Sequence, residues 1–282
     1  MNAATGPETN VPHSQAVADA KPEWSPLSTK AVPITIIVPC YNEVESIHLL
    51  RETLLHTQRS LGPSYLLHFV FVNDASSDGT SAKLRETFAD WEHCQFIDHC
   101  RNQGITGAIM TGIAAAPTEI VCSIDCDCSY DPSQLRELLP LMKDGVDLVT
   151  ASPYHPLGRV QHVPRWRLLL SRGLSAMYRR VLPLKLFTYT SCFRVYRRSS
   201  MMMLDVQDTG FLGVAETMAQ LAFRGAKVVE CPAILQSRVC GHSKMKIVRT
   251  MWGHLRLLTQ LVRYRIADRK IKQQGHGARV RR

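Results

Sequence analysis

The chain has 282 residues, of which 45% are hydrophobic, enough to bury the core of one large domain or two small ones. No run approaches the roughly 18 apolar residues of a membrane span, and the N-terminal MNAATGPETNVPHSQ lacks the order of a signal peptide, so we expect a globular cytoplasmic protein. The net charge of +10 is unevenly distributed, because eleven of the 34 Lys and Arg residues but only one acid, Asp268, follow Met245. A neutral body with a basic C-terminal segment favours an anionic surface as partner.

The predicted elements alternate between strand and helix. Residues 1–31 have no periodicity and are predicted to be a disordered leader. Short apolar runs predict strands at 34–39, 66–72, 95–99, 119–124 and 146–151. Helical spacing predicts helices at 44–58, 78–88, 104–116 and 132–143. This alternation predicts an α/β domain over 32–245 with a doubly wound, mostly parallel sheet, followed by a basic amphipathic helix and tail over 246–282.

Nine cysteines, an odd number in a chain with no export signal, argue against a disulfide framework. Cys122, Cys126 and Cys128 have C-x3-C-x-C spacing, which lacks the paired C-x2-C of a structural zinc site. We therefore expect the cysteines to be small packing residues.

Polar loops follow the first four predicted strands, and such loops converge on one edge of a parallel sheet. Their sequences are PCYNE, NDASSDGT, RNQG and DCDCSYDP. Asp, Asn, Ser and Gly are also ordinary turn and helix-cap residues, so each loop alone has a purely structural interpretation. In the last loop, Asp125 and Asp127 are spaced to direct carboxylate oxygens at one hard divalent cation, Mg²⁺ or Mn²⁺.

The ordered motifs IIVPCYNE, FVNDASSDGT, RNQGITGAIMTG, DCDCSYDP, SCFRVYRR and RVCGHSKM, between about Ile34 and Met245, resemble those of the inverting family 2 glycosyltransferases of GT-A fold. Within that family the chain is most similar to the polyprenyl-phosphate (dolichyl-phosphate) hexose synthases, such as the mannose synthases. The resemblance implies that a hexose passes from a GDP or UDP sugar to a polyprenyl phosphate at the cytoplasmic membrane face, with inversion and with a bound Mg²⁺ or Mn²⁺. A membrane-protein partner is compatible with the absence of a span.

The resemblance also implies the site residues. The nucleotide-sugar donor would be bound by Pro39, Tyr41, Glu43, Asp74, Arg101, Asn102, Gly104, Asp125 and Ser129, the last replacing a frequent Gln. The metal would be held by Asp125 and Asp127, with Asp127 also counted as catalytic. The acceptor phosphate would be bound by Arg167, Arg172, Ser191, Arg194, Arg238, Ser243 and Lys244. The family's D-x-x-S-G-F motif appears as residues 188–193, TYTSCF, without its Asp and Gly.

An arginine-rich helix is predicted after Pro164, a favourable helix-start residue. Its apolar stripe comprises Leu169, Leu170, Gly173, Leu174, Met177, Tyr178 and Val181. Arg167 and Arg172 flank this stripe, as expected of cations beside the entrance for a lipid phosphate. The alternative is a helix whose stripe packs on the core and whose arginines are solvated.

The acceptor determines whether a base is needed. A phosphate monoester is already largely ionised at neutral pH, whereas a polysaccharide or soluble hydroxyl requires a general base. Glu216 lies where hydroxyl-directed members of the family have their acid–base region, and is the candidate for that alternative. Nucleotidyl transfer would need a glycine-rich basic loop in place of PCYNE.

The last predicted helix has a basic, amphipathic character suited to an anionic membrane interface. Its apolar positions are Ile247, Val248, Met251, Trp252, Leu255, Leu258, Leu261, Val262 and Ile266. Packing of this helix on the domain is the alternative. Nucleic-acid binding by the tail would lack both an aromatic platform and a basic main body, so the sequence weighs against it.

Overall fold

A computed structural model of the protein describes residues 31–236 and 247–279, with side chains described for 31–236 and 250–266. The strands are β1 (Val32–Cys40), β2 (Tyr65–Asn73), β3 (Cys94–Asp98), β4 (Ile120–Ser123), β5 (Leu148–Ser152), β6 (Arg159–Val160), β7 (Arg194–Arg197), β8 (Val228–Pro232) and β9 (Ile234–Leu235). The α-helices are α1 (Ile47–Leu61), α2 (Thr80–Thr87), α3 (Ile105–Ala115), α4 (Leu135–Leu138), α5 (Arg165–Val181), α6 (Arg198–Met202), α7 (Phe211–Phe223) and α8 (Ile247–Arg279).

Seven strands form one sheet in the order β3-β2-β1-β4-β7-β5-β8, and β6 pairs with β9 in a separate parallel ribbon. The predicted alternation and the mostly parallel sheet are confirmed. β7 is the exception, because it runs antiparallel to both β4 and β5. The sheet order reverses around β1 and β4, so the loops that follow these strands open onto a common crevice.

One predicted helix is wrong in extent. Residues 132–143 form only the single turn of α4 between two short 3-10 turns, Pro132–Gln134 and Leu139–Leu141. Pro140 accounts for the interruption, because proline has no N–H and its ring clashes with the preceding helical turn.

The sheet is covered on both faces, which explains the continuous apolar runs of its central strands. Ile36 and Val38 of β1 pack on the side of α1, while Ile37 packs on the side of α3 and α7. The close approach of α3 requires a glycine, because a Cβ on Gly112 would lie 2.3 Å from Cγ2 of Ile37.

Helix α8 packs against α5 and α7, in agreement with the alternative interpretation of the basic helix. Its buried side includes His254, Leu257 and Leu258, of which the apolar pattern predicted only Leu258. Trp252, Leu255, Val262 and Ile266 stay exposed and form a second apolar stripe along the helix. Among the residues that the structure describes, no helix combines the length and apolarity needed to cross a membrane.

Candidate functional site

The loops after β1 and β2 are joined by hydrogen bonds across the crevice. The N–H of Asn42 donates to Oγ of Ser76 at 2.9 Å, and the Asn42 side chain accepts from the N–H of Ser77 at 2.8 Å. The N–H of Glu43 donates to Oγ1 of Thr80 at 2.9 Å. PCYNE and NDASSDGT are therefore one structural unit, as their convergence on one sheet edge predicts.

Asp74 fixes the third loop. Its carboxylate, almost fully buried, accepts hydrogen bonds from the N–H groups of Gln103 and Gly104, both at 2.7 Å, and lies 2.7 Å from Nδ1 of His99. Its backbone carbonyl accepts from the Asn102 amide at 3.2 Å. Both carboxylate oxygens are thus engaged by the protein, so Asp74 positions the RNQG loop while also facing the cavity described next.

A cavity of about 280 Å³, here the first cavity, lies where these loops meet. Its walls include the predicted donor residues Pro39, Tyr41, Glu43, Asp74, Asn102, Gly104 and Asp125, the predicted metal ligand Asp127, and also Cys40, Cys126, Gly210 and Phe211. Arg101 is exposed and does not line it. The structure therefore gathers most of the predicted donor-binding set around one space.

The three carboxylates of DCDCSYDP have different environments. Asp125 is half-buried, Asp127 is buried, and both line the first cavity. One oxygen of Asp127 accepts from the N–H and Oγ of Ser129 at 2.9 and 2.7 Å, which fixes its orientation. Asp131 instead caps the following 3-10 turn by accepting from the N–H of Ser133 at 2.8 Å.

Both cysteines of this motif are packing residues, as expected, and Cys126 also lines the first cavity. Burial raises the pKa of Cys128 to about 12. Cys126 is also buried, lies against the thiol of Cys40, and shares a wall of the first cavity with it. All eight cysteines in the described part of the chain are free thiols.

A second cavity of about 230 Å³ adjoins the first and shares Asp125, Asp127 and Phe211 with it. Its other walls are Ser129, Tyr130, Pro153, Tyr154, Ser171, Thr188, Thr190, Ser191, Cys192 and Leu235. The predicted residue Ser191 is buried here and is hydrogen-bonded to Tyr130. Burial raises the pKa of both tyrosines, Tyr130 and Tyr154.

A third cavity of about 270 Å³ runs between α5 and α8. Most of the side chains that these helices contribute are apolar, and their polar members are Arg167, Ser171, Thr250 and His254. Tyr154, Ser171, Thr190 and Phe211 also line the second cavity, so the two spaces adjoin. Arg167 and Ser171 are one helical turn apart and lie on the same face of α5.

Phe211 lines all three cavities. It is the first residue of α7 and is positioned by the preceding loop, where Gly210 accepts from Oγ1 of Thr106 at 2.7 Å and Thr209 accepts from the N–H of Gly107 at 2.8 Å. Sequence reasoning missed Phe211, Tyr154 and Ser171. Only the spacing of Ser171 four residues after Arg167 could have indicated one of them.

Two residues predicted to bind the acceptor phosphate, Arg194 and Arg172, lie elsewhere. Arg194 is buried in the core, where its guanidinium donates to the carbonyls of Tyr189 and Val214 at 2.8 and 3.1 Å. This placement does not support contact between Arg194 and an acceptor phosphate. Arg172 lines a separate pocket on the other side of Tyr154. Arg238, Ser243 and Lys244 lie outside the described residues.

Glu216 does not line any of the three cavities. Its carboxylate accepts from the N–H groups of Gln207 and Asp208 at 3.0 and 2.9 Å, and from the Gln220 side chain at 3.1 Å. In this arrangement it stabilises the loop that leads to Phe211.

The paired carboxylates fit a divalent cation that is completed by a ligand. Within the described residues, no group of three or more His, Cys, Asp or Glu side chains forms a metal site by itself. Mg²⁺ commonly binds through one or two carboxylates together with substrate phosphates and water, and Asp125 and Asp127 at the junction of two cavities match that requirement.

Comparison with known proteins gives a family match and several relatives. The profile of glycosyl transferase family 2 matches residues 35–204. The polyprenol monophosphomannose synthase of Mycolicibacterium smegmatis is 29% identical over 217 residues, covering 74% of this chain and 80% of that protein. The dolichol-phosphate mannosyltransferase of Pyrococcus furiosus is 26% identical, covering 82% of this chain and 64% of that protein.

Two further comparisons extend this picture. The undecaprenyl-phosphate mannosyltransferase of Micrococcus luteus is 28% identical and covers 75% of this chain and 87% of its own length. Among solved structures, glucosyl-3-phosphoglycerate synthase from Mycobacterium tuberculosis, in complex with Mn²⁺, UDP and glucosyl-3-phosphoglycerate, superposes with a TM-score of 0.58 at 18% identity. That match covers 78% of this chain and 76% of the other, and it shows a shared GT-A fold.

Proposed function

The chain belongs to glycosyl transferase family 2, and on this premise we propose that it transfers a hexose from a nucleoside-diphosphate sugar to the phosphate of a polyprenyl lipid, with inversion. The observation that carries the proposal is the row of three adjoining cavities that share Phe211. The first is formed by the loops at the strand ends, the second contains Asp125 and Asp127, and the third is an apolar channel between α5 and α8.

The first cavity would hold the donor. Pro39, Tyr41 and Glu43 would contact the base and ribose, while the loop fixed by Asp74 would contact the nucleoside. A divalent cation, Mg²⁺ or Mn²⁺, bound by Asp125 and Asp127 would supply Lewis-acid stabilisation of the charge that develops on the leaving diphosphate. Ser129 would contribute by orienting Asp127.

The second and third cavities would hold the acceptor. Arg167 and the hydroxyl groups of Ser171 and Ser191 would bind its phosphate, and the apolar walls would receive the first isoprene units. A phosphate oxygen would attack the anomeric carbon on the face opposite the diphosphate. The new carbon–oxygen bond forms as the bond to the nucleoside diphosphate breaks, so the anomeric configuration inverts.

This chemistry needs no general base, because a phosphate monoester with a second pKa near 6 is largely ionised at neutral pH. The position of Glu216 supports a phosphate acceptor over a hydroxyl acceptor, since its carboxylate is engaged by backbone N–H groups outside the cavities. A Glu216→Gln variant is expected to keep most of its transfer activity with a phosphate acceptor. Near-complete loss with a normal Tm would instead favour the hydroxyl alternative.

We further propose that the protein works at an anionic membrane surface. Trp166, Leu169 and Met177 of α5 are 50%, 74% and 38% exposed, and Trp252 of α8 is 71% exposed. Arginines flank these apolar side chains on both helices, the combination that favours binding at a lipid interface. The contributions predicted for Arg238, Ser243 and Lys244, and for a membrane-protein partner, remain part of the proposal.

The test is a transfer assay with purified protein, Mn²⁺, GDP- and UDP-hexoses, and a short polyprenyl phosphate, with mass spectrometry of the lipid phase. The proposal predicts a hexosyl-phosphoryl lipid. Release of nucleoside diphosphate with unmodified lipid would retain the donor half of the proposal and overturn the acceptor half.

A further inference from the structure

A fourth cavity, here the arginine pocket, lies outside the row of three. It has a volume of about 470 Å³ and is enclosed by one face of α5, the loop 153–158 and residues 186–187. From α5 it receives Arg172, Ser175 and Arg179, at the spacing of one helical face. Only Tyr154 and Pro153 are shared with the cavities already described, so Tyr154 forms the wall between the pocket and the acceptor channel.

The two arginines are held in place by aromatic rings. The guanidinium of Arg172 lies 5.4 Å from the ring centre of Tyr154, and that of Arg179 lies 4.7 Å from the ring centre of Phe187. Within the described residues neither arginine forms an ion pair, and the lining of the pocket contains no acidic side chain. Stacking on a ring engages the face of a guanidinium and leaves its in-plane N–H groups as donors.

Ser175 provides an independent sign of a missing ligand. It is only 4% exposed, and its hydroxyl is one of two buried side-chain groups in the described structure with no hydrogen-bond partner. A buried hydroxyl without a partner costs free energy, and native structures rarely contain one. A ligand atom in the arginine pocket, which Ser175 lines, would satisfy it.

His155 adds a further donor. Its Nδ1 lies 3.2 Å from the N–H of Leu157, so this nitrogen accepts and the neutral ring carries its proton on Nε2. The loop that holds His155 turns tightly, and a Cβ on Gly158 would lie 2.5 Å from the carbonyl oxygen of Ser152. The backbone that carries His155 is thus held in a tight turn, in which the N–H of Gly158 donates to the carbonyl of His155 at 2.8 Å.

We infer that the arginine pocket binds a phosphate group, at a site separate from the acceptor phosphate. Two guanidinium groups supply paired donors and positive charge, and Ser175 and His155 supply neutral donors, which suits a tetrahedral oxyanion. The volume exceeds that of a phosphate and leaves room for its ester substituent. Because Arg172 and Arg179 lie beside the exposed apolar stripe of α5, the phosphate group can belong to a phospholipid head group or to a free phosphate compound.

The experiment measures binding by the full-length protein in EDTA, with inorganic phosphate as the soluble probe. The vesicle probe is phosphatidylcholine, alone or mixed with phosphatidic acid. The pocket variant is Arg172→Gln/Arg179→Gln, and the matched control is Arg165→Gln/Arg180→Gln, which removes the same charge from α5 outside the pocket. A third variant, Ser175→Ala, removes the unpartnered hydroxyl.

The pocket variant is expected to lose affinity for at least one probe by about tenfold or more beyond the control, since each lost contact is a charged hydrogen bond. Ser175→Ala should weaken binding of the same probe severalfold without lowering the Tm, because its hydroxyl makes no bond in the unliganded fold. An effect on phosphate alone identifies a soluble ligand, and an effect on phosphatidic acid vesicles identifies a lipid head group.

Two results would overturn the inference. The first is equal loss in the pocket and control variants, which would show that only the net charge of α5 matters. The second is loss of hexosyl transfer in the pocket variant at saturating polyprenyl phosphate, which would make this pocket part of the acceptor site.

Discussion

The regions proposed to bind the donor and the acceptor, here the donor side and the acceptor side, are built in different ways. On the donor side, short loops at the strand ends are joined by hydrogen bonds from backbone N–H groups to side chains, and the buried carboxylate of Asp74 accepts two of them at 2.7 Å. On the acceptor side, α5 and α8 pack over an apolar channel and leave large side chains such as Trp252 in solvent. Under the proposed function, the donor pocket is formed in the isolated protein, whereas the acceptor side is completed by a lipid surface.

The largest effect is expected where the two sides meet. Asp127→Asn keeps an oxygen that can accept from Ser129 but removes the charge that a divalent cation requires, so transfer should fall roughly 10²- to 10³-fold with little change in Tm. Initial rates at saturating donor and acceptor measure this loss. The matched control is Asp131→Asn, a carboxylate of the same motif that caps a turn outside the cavities. Equal losses in both variants would contradict the assignment of Asp127.

A second variant tests the rigidity of the donor side. Asp74→Asn replaces one carboxylate oxygen by an NH₂ group, which must face the N–H of either residue 103 or residue 104, and we expect the free energy of unfolding to fall by about 2–3 kcal/mol. Urea unfolding measures the stability, and the KM for the donor should rise because the RNQG loop is released. An unchanged donor KM in this variant would show that the loop does not contact the nucleotide.

The sequence alone predicted the order of these loops and their convergence on one edge of the sheet. Strand ends, turns and the D-x-D spacing are local features, so periodicity and the family motifs locate them without knowledge of the tertiary packing. The acceptor side depends on distant segments, because Tyr154, Ser171 and Phe211 come together only after α5 and α7 have docked. The antiparallel insertion of β7 was not predicted, and it turns Arg194 into the core.

The helical geometry of α5 separates Arg167 from Arg172, which the sequence analysis assigned to the same acceptor phosphate. Five residues apart on a helix, they point about 140° away from each other, and the structure places them in different cavities separated by Tyr154. The stripe predicted for α5 is likewise divided, with Leu174 and Tyr178 buried while Leu169 and Met177 stay exposed.

The packing of α8 against α5 leads to a pH dependence. His254 is buried beside the Tyr178 hydroxyl, 2.8 Å from its Nδ1, and burial lowers its pKa from 6.5 to about 4. Between pH 6.5 and pH 4 the unfolded chain binds a proton at His254 that the folded chain does not. The contribution of the neutral, buried His254 to the free energy of unfolding is therefore complete above about pH 6.5 and declines as the pH falls toward 4. Near pH 4.5 the loss should be about 2–3 kcal/mol.

Urea unfolding of the wild type and of His254→Gln at neutral and acidic pH isolates this contribution. The variant removes the titrating ring, so its stability should depend less on pH over this interval by the same amount. Parallel pH curves for the two proteins would show that the helix contact does not titrate.

A smaller effect is expected from the exposed apolar surface. Trp166→Ser and Trp252→Ser should each weaken binding to anionic vesicles by about tenfold, because each removes a large side chain available to the lipid interface. Vesicle flotation measures the binding. Met202→Ser/Met203→Ser, at the exposed end of α6, is the control for a general loss of surface hydrophobicity. Equal loss in the control would contradict a docking role for α5 and α8.

The most direct test of the account compares acceptors with a single donor. Initial rates would be measured for a short polyprenyl phosphate, the corresponding polyprenol, and 3-phosphoglycerate, which resembles the ligand of the M. tuberculosis structural relative. The account predicts transfer to the polyprenyl phosphate alone, because the proposed acceptor side offers hydrogen-bond donors for a phosphate group and an apolar channel, while the candidate base Glu216 lies outside the three cavities. Efficient transfer to the alcohol or to 3-phosphoglycerate would contradict it.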